Sequence, residues 1–166
     1  MTATVLKKEM ETGILQVAIV TYNRVGEGEY GNGVTDGPGI RLFIAQNGHK
    51  SKWAAEPGLG TLDGRIATRE RMARKVTGMV NLEEMDHAFI YVGGSGGEEA
   101  IKISRDLPAY KVTYIMCDCN WGHKCEMIRN IGNAGAKIIE CHCGGQQALA
   151  SIVKRLLAGT KPSTIS

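Results

Sequence analysis

The stretch from His87 to Cys143, "HAFIYVGGSGGEEAIKISRDLPAYKVTYIMCDCNWGHKCEMIRNIGNAGAKIIECHC", decides how this chain is read. Three times a short run of β-branched and aromatic residues gives way to glycine or cysteine, and twice a helical pattern separates one run from the next. "HAFIYVGG" reads as a strand running into glycine and "GEEAIKISRDL" as a helix. "KVTYIMCDC" is the next strand. "HKCEMIRNIGNAG" is a helix with Gly135 suited to its C-terminal cap. "AKIIECHC" is a third strand, and "QQALASIVKRLLAG" closes the chain as a helix with Gly159 just past its end. Strand and helix alternating at this spacing form a parallel sheet with right-handed crossovers.

Working outward toward the N-terminus, "ILQVAIVTY" (Ile14 to Tyr22) and "IRLFIAQ" (Ile40 to Gln46) read as two more strands. They can pair antiparallel across the long connection "NRVGEGEYGNGVTDGPG". From Arg65, "RIATRERMARKVTGMVNLEEM" has helical periodicity. Ile66, Ala73, Val76 and Val80 share one face, while Arg65, Arg69, Arg71, Arg74 and Lys75 fall largely elsewhere, as on a solvated helix surface. The expected fold is a single three-layer α/β domain over residues 1–166. Its sheet is mainly parallel and Rossmann-like, with an N-terminal antiparallel strand pair, and residues 1–13 and 160–166 are expected to be flexible termini.

The totals agree with one globular domain. The chain has 166 residues, 43% hydrophobic and 22% charged, with a net charge of +3. That charge does not point to nucleic acid, since dedicated binders concentrate far more basic charge on one face. No apolar run reaches the ~20 residues that cross a bilayer, and "MTATVLKKEMETG" lacks the apolar core of a signal peptide. The expectation is a cytoplasmic protein without a membrane partner.

All five cysteines lie between Cys117 and Cys143. An odd count without an export signal argues for reduced thiols, metal ligands or catalysis rather than a disulfide framework. In open parallel sheets, ligands collect beyond the carboxyl ends of the strands. Three consecutive strand ends here carry "GGSGG", "CDCNWGHKC" and "CHCGG". Residues two apart in a strand share a face, so Cys117 with Cys119, and Cys141 with Cys143, can turn the same way. If the two strands are neighbours, ~4.8 Å apart, four sulfurs come within reach of one zinc ion or iron–sulfur cluster. Cys125, His123 and His142 are spare donors. The plain alternative is core filling, because cysteine is among the most buried residue types. A third reading is a metal-free thiol enzyme, with Cys119 or Cys125 as nucleophile and His123 as base. A fourth is a carrier or sensor that hands a metal or cluster to a partner.

Glycine is the unusual total, at 22 residues. Gly93, Gly94, Ser95, Gly96 and Gly97 stand between a strand and a helix, where backbone N–H groups can approach a phosphate-containing cofactor or another small anionic ligand. Glu98 and Glu99, directly after, suit a helix N-terminus but compete with an anion. A tight turn capped by Ser95 is the structural alternative. The segment Gly26 to Gly39 can serve as a lid over the thiol edge or as a plain hairpin loop. Within it, "DGPGIR" (Asp36 to Arg41), followed by an apolar strand and Gly48, resembles the opening of the activating enzymes of glycyl-radical enzymes. Those enzymes continue with a three-cysteine cluster motif where this chain has "HKSKWAAEP", so the resemblance does not carry their radical chemistry here. Trp121 can wall a pocket by stacking, or close over the sheet edge. A homodimer is expected on general grounds alone. Together these features suggest an enzyme of cofactor or sulfur metabolism.

Overall fold

A computed structural model describes residues 13–21, 25, 30–46, 71, 74–92, 97–117, 121–141 and 145–166. Six strands form one sheet: β1 (Leu15–Thr21), β2 (Gly33–Gly37), β3 (Ile40–Gln46), β4 (His87–Tyr91), β5 (Val112–Cys117) and β6 (Lys137–Cys141). Their order is β2-β3-β1-β4-β5-β6. Among the described residues three complete helices flank them: α1 (Gly97–Ser104), α2 (Trp121–Ile131) and α3 (Gly145–Leu157). Residues 74–77 are also helical.

All neighbouring strands are parallel except β2 and β3. The N-terminal antiparallel pair is therefore present, but its members differ from the pairing expected. Leu15–Thr21 runs parallel to Ile40–Gln46, and the antiparallel partner of β3 is Gly33–Gly37, drawn from the glycine-rich connection. The reason lies in the turn. Pro38 followed by Gly39 at φ 70° has the residue order of a type II turn, and it reverses the chain in two residues. Asp36 and Arg41 face each other across the hairpin in register and form an ion pair at 3.0 Å. "DGPGIR" is thus a hairpin closure. Gly37 is needed because a Cβ there would come within 2.9 Å of the Leu157 carbonyl oxygen at the end of α3.

The direction of each step along the sheet decides which face its connection covers. The steps β3 to β4, β4 to β5 and β5 to β6 all run the same way, and right-handed crossovers place their connections on one face. Val76, Ala100, Ile101 and Ile128, one or two from each connection, are buried in a single layer with Ala18, Val20, Ile90, Tyr114 and Met116. The step from β1 to β3 runs the other way. Val25, from that connection, is buried on the opposite face with Leu149, Val153 and Leu156 of α3. Alternate residues of each strand supply the two layers, so the strands are apolar on both sides, as parallel strands covered on both faces must be. Full burial of side chains such as Ile101 or Leu156 contributes roughly 1.5–3 kcal/mol each.

Helix ends differ from expectation in two places. α2 begins at Trp121, so this tryptophan lies in a helix rather than a loop. It ends at Ile131, and Gly132, not Gly135, closes it, with its N–H donating to the Ile128 carbonyl at 2.9 Å. Gly132 also lets α2 approach α1, since a Cβ there would stand 2.5 Å from the Ile101 Cγ2. The C-terminal residues, expected to be loose, are docked. Pro162 and Ile165 are buried, and Lys137 Nζ donates to the Ile165 carbonyl at 2.5 Å. Residues 1–12, and Arg65, Ile66, Arg69 and Ala73 of the helix read from Arg65, lie outside the described residues.

Candidate thiol site at the carboxyl edge

Counted in chain order, the five parallel strands run second, first, third, fourth, fifth, one of the two common orders of doubly wound sheets. In this class the crevice forms where connections leave in opposite directions, here between the carboxyl ends of β1 and β4. The segment leaving β4 there is Gly93 to Gly97. Gly97 is the first residue of α1; Gly93, Gly94, Ser95 and Gly96 lie outside the described residues. Glu98, which could have opposed an anion, reaches along the helix surface and pairs with Lys102 at 3.4 Å.

β4, β5 and β6 are consecutive neighbours, so the three unusual strand ends do share one edge. The register is closer than neighbourhood alone requires. Cys117 is the Cα partner of Cys141, and each is the last residue of its strand. Cys119 and Cys143 follow two residues further on and lie outside the described residues, as does His142.

The two cysteines whose side chains are described lie on opposite faces. Cys141 is buried in the layer beneath α3, among residues such as Ile115 and Leu149. Its Sγ donates to the Met116 carbonyl oxygen at 3.2 Å, across to the neighbouring strand. Cys125 is half-buried and packs against the layer beneath α1 and α2. Cys125 therefore cannot join Cys141 on one ion without a rearrangement of α2. It lies in α2, two residues after His123 in the chain. The side chain of His123 lies outside the described residues. Among the described residues no three His, Cys, Asp or Glu side chains converge.

Buried polar contacts hold the edge in place from behind. The Tyr114 hydroxyl is 2.5 Å from Ser104 Oγ at the end of α1, and accepts from the Asn133 N–H at 3.0 Å just after α2. Asn133 Nδ2 in turn donates to the Leu107 carbonyl at 2.6 Å. One tyrosine on β5 thus fixes both helices whose first turns border the site. Burial pushes the Tyr114 hydroxyl above its ordinary pKa, with the Ser104 and Asn133 bonds working against that shift. On the β3 side, Gln46 is buried at the strand's end. Its Oε1 accepts from the Val25 N–H at 2.6 Å, and its Nε2 donates to the Tyr30 carbonyl at 2.5 Å. Val25 and Tyr30 of the glycine-rich connection are thereby anchored at the end of β3. Neither Gln46 nor Asn133 stands out in the sequence, because a single amide at a strand end or turn is ordinary composition.

His87 opens β4 at the opposite edge. It is buried, its Nε2 lies 2.7 Å from Thr113 Oγ1, and its ring packs on Phe89 at 4.8 Å. Burial and the charge of Lys137 lower its pKa to about 4, so it is a neutral structural residue.

The fold and edge define a doubly wound α/β domain with cysteines at two neighbouring strand ends. Compared with known proteins, the chain matches no family model, no curated protein and no solved structure.

Proposed function

We propose that this protein builds a thiolate site for zinc or an iron–sulfur cluster at the carboxyl ends of β5 and β6. Cys117, Cys119, Cys141 and Cys143 are its ligands. Gly93 to Gly97 hold an anionic substrate or a phosphate-containing cofactor beside it. The observation that carries this reading is the Cys117–Cys141 register, in which two cysteine Cα positions are partners at the edge where such sheets bind ligands. The strand order supports the second half, since β4 and its glycine loop adjoin β5 directly.

The chain's own residues would work as follows. Cys141 gives up the proton it now donates to the Met116 carbonyl, and its sulfur turns outward to the ligand set. The first turn of α3, beginning at Gly145, and that of α2 present N–H groups that favour the resulting negative charge. The N–H groups at the start of α1 do the same for the substrate's anionic group. A bound zinc ion would supply Lewis acidity, and a cluster electron transfer. Such a site suits an enzyme of cofactor or sulfur metabolism in a reducing compartment such as the cytoplasm.

Metal and acid-labile sulfide analysis of protein purified without oxygen tests the reading. Stoichiometric zinc, or iron with sulfide, supports it. Metal-free protein in which all five thiols titrate would sink it.

A further inference from the structure

Two observations bring Cys117 and Cys141 closer together than shared residence at an edge. They are register partners on adjacent parallel strands. Neighbouring strands lie about 4.8 Å apart, inside the ~4.4–6.8 Å that separates the Cα atoms of disulfide-bonded cysteines. Independently, the Cys141 sulfur is 3.2 Å from the Met116 carbonyl, part of the peptide unit that joins Met116 to Cys117. The sulfur therefore leans across to β5 at the level of its register partner. Cys125 is on the other face of the sheet and does not compete for it.

We propose that Cys117 and Cys141 are a redox pair that closes to a cross-strand disulfide. Resting on the ligand set proposed above, this closure would remove two of four ligands, so that metal binding and oxidation exclude each other. The chemistry is exchange with a low-molecular-weight disulfide. One cysteine, as thiolate, attacks a sulfur of the small disulfide, expels one small thiolate and becomes a mixed disulfide. The other, also as thiolate, displaces the remaining small thiolate and closes the Cys117–Cys141 bond. Two protons leave the protein, and two electrons reduce the small disulfide to two thiols. Burial of Cys141 suits it to the second step, which is intramolecular and needs proximity rather than exposure. Closing the bond breaks the Cys141 hydrogen bond to Met116.

The test uses the full chain carrying Cys119→Ser, Cys125→Ser and Cys143→Ser, reduced, treated with chelator, then exposed to oxidised glutathione. Tryptic digestion without reduction is expected to yield the peptide Val112–Lys124 linked to Ile138–Lys154, with both thiols lost. The two peptides recovered unlinked, as thiols or as mixed disulfides, would overturn the proposal. The unsubstituted chain is digested in parallel, so the answer survives misfolding of the variant. There the same two peptides should be linked, with fragment-ion sequencing placing the bond at Cys117 and Cys141, whereas a bond at Cys119 or Cys143, or one internal to either peptide, would overturn it. Because chelated protein is used, linkage is read independently of metal. Linked protein that binds no metal when reduced would keep the disulfide and overturn the regulatory half. Metal-binding protein that never links would overturn the pair and leave the metal site standing.

Discussion

The sulfur of Cys141 donates to the carbonyl oxygen of Met116 on the neighbouring strand, at 3.2 Å. This contact satisfies a buried thiol and also places it at the strand end where Cys117 lies in register. The two roles separate by substitution. Cys141→Ser retains a donor to Met116 in a similar volume, so urea denaturation should show a loss of no more than about 1–2 kcal/mol. The same change should take one sulfur from the ligand set and weaken metal binding by about tenfold or more. A variant that unfolds, or one that holds metal unchanged, would contradict one role or the other.

Neutral burial of His87 makes stability depend on pH. In the folded protein its pKa is lowered to about 4, while in the unfolded chain it returns to the ordinary imidazole value of 6.5. Between these values the unfolded state binds the extra proton, so stability rises with pH. The contribution is complete above pH 6.5 and is lost as pH falls toward 4, amounting to about 3 kcal/mol. Urea midpoints at pH 7 and pH 4.5 should show this slope. His87→Gln should show a shallower one, with carboxylate titration as the remainder.

Removing the Tyr114 hydroxyl leaves the buried Asn133 N–H without its acceptor at 3.0 Å. Tyr114→Phe should cost about 1–3 kcal/mol by denaturation. Because the hydroxyl joins the ends of α1 and α2, amide exchange should quicken at Ser104 and Asn133 more than on β1.

Two glycines close together in sequence should respond differently. At Gly132 a Cβ would meet Ile101 Cγ2 at 2.5 Å and the Ile128 carbonyl at 3.0 Å, both inside the packed layer. Gly132→Ala should destabilise by about 1–3 kcal/mol through overpacking. At Gly135 the nearest atom is the Ala109 Cβ at 3.3 Å, so Gly135→Ala should shift the melting temperature far less.

That contrast also shows where the sequence was a sufficient guide. The second half was legible because each strand there is a compact apolar run and each helix has a period that cannot be accommodated in a strand. β3 falls on Ile40–Gln46 as read. Pairing was not legible for β1, since an apolar run buried on both faces fits a parallel or an antiparallel neighbour equally. The weak, exposed strand Gly33–Gly37 has no apolar pattern; only Pro38–Gly39 betrays it. At the site, neighbourhood of β5 and β6 followed from the alternation of elements. The separation of Cys125 from Cys141 onto opposite faces did not, because it depends on which helix face meets the sheet.

The buried Gln46 amide ties the β1–β3 connection to the sheet through Val25 and Tyr30. Gln46→Leu should remove the acceptor of the Val25 N–H and raise hydrogen exchange at that amide. Exchange at Ile115, in the sheet centre, should be unchanged.

The central claim is a thiolate site spanning β5 and β6. X-ray absorption at the metal edge of anaerobically purified protein tests it most directly. With zinc bound, the account predicts sulfur scatterers at about 2.3 Å, reduced in number by Cys117→Ser and by Cys141→Ser alike. A first shell made only of nitrogen or oxygen at about 2.0–2.2 Å, indifferent to both substitutions, would contradict it.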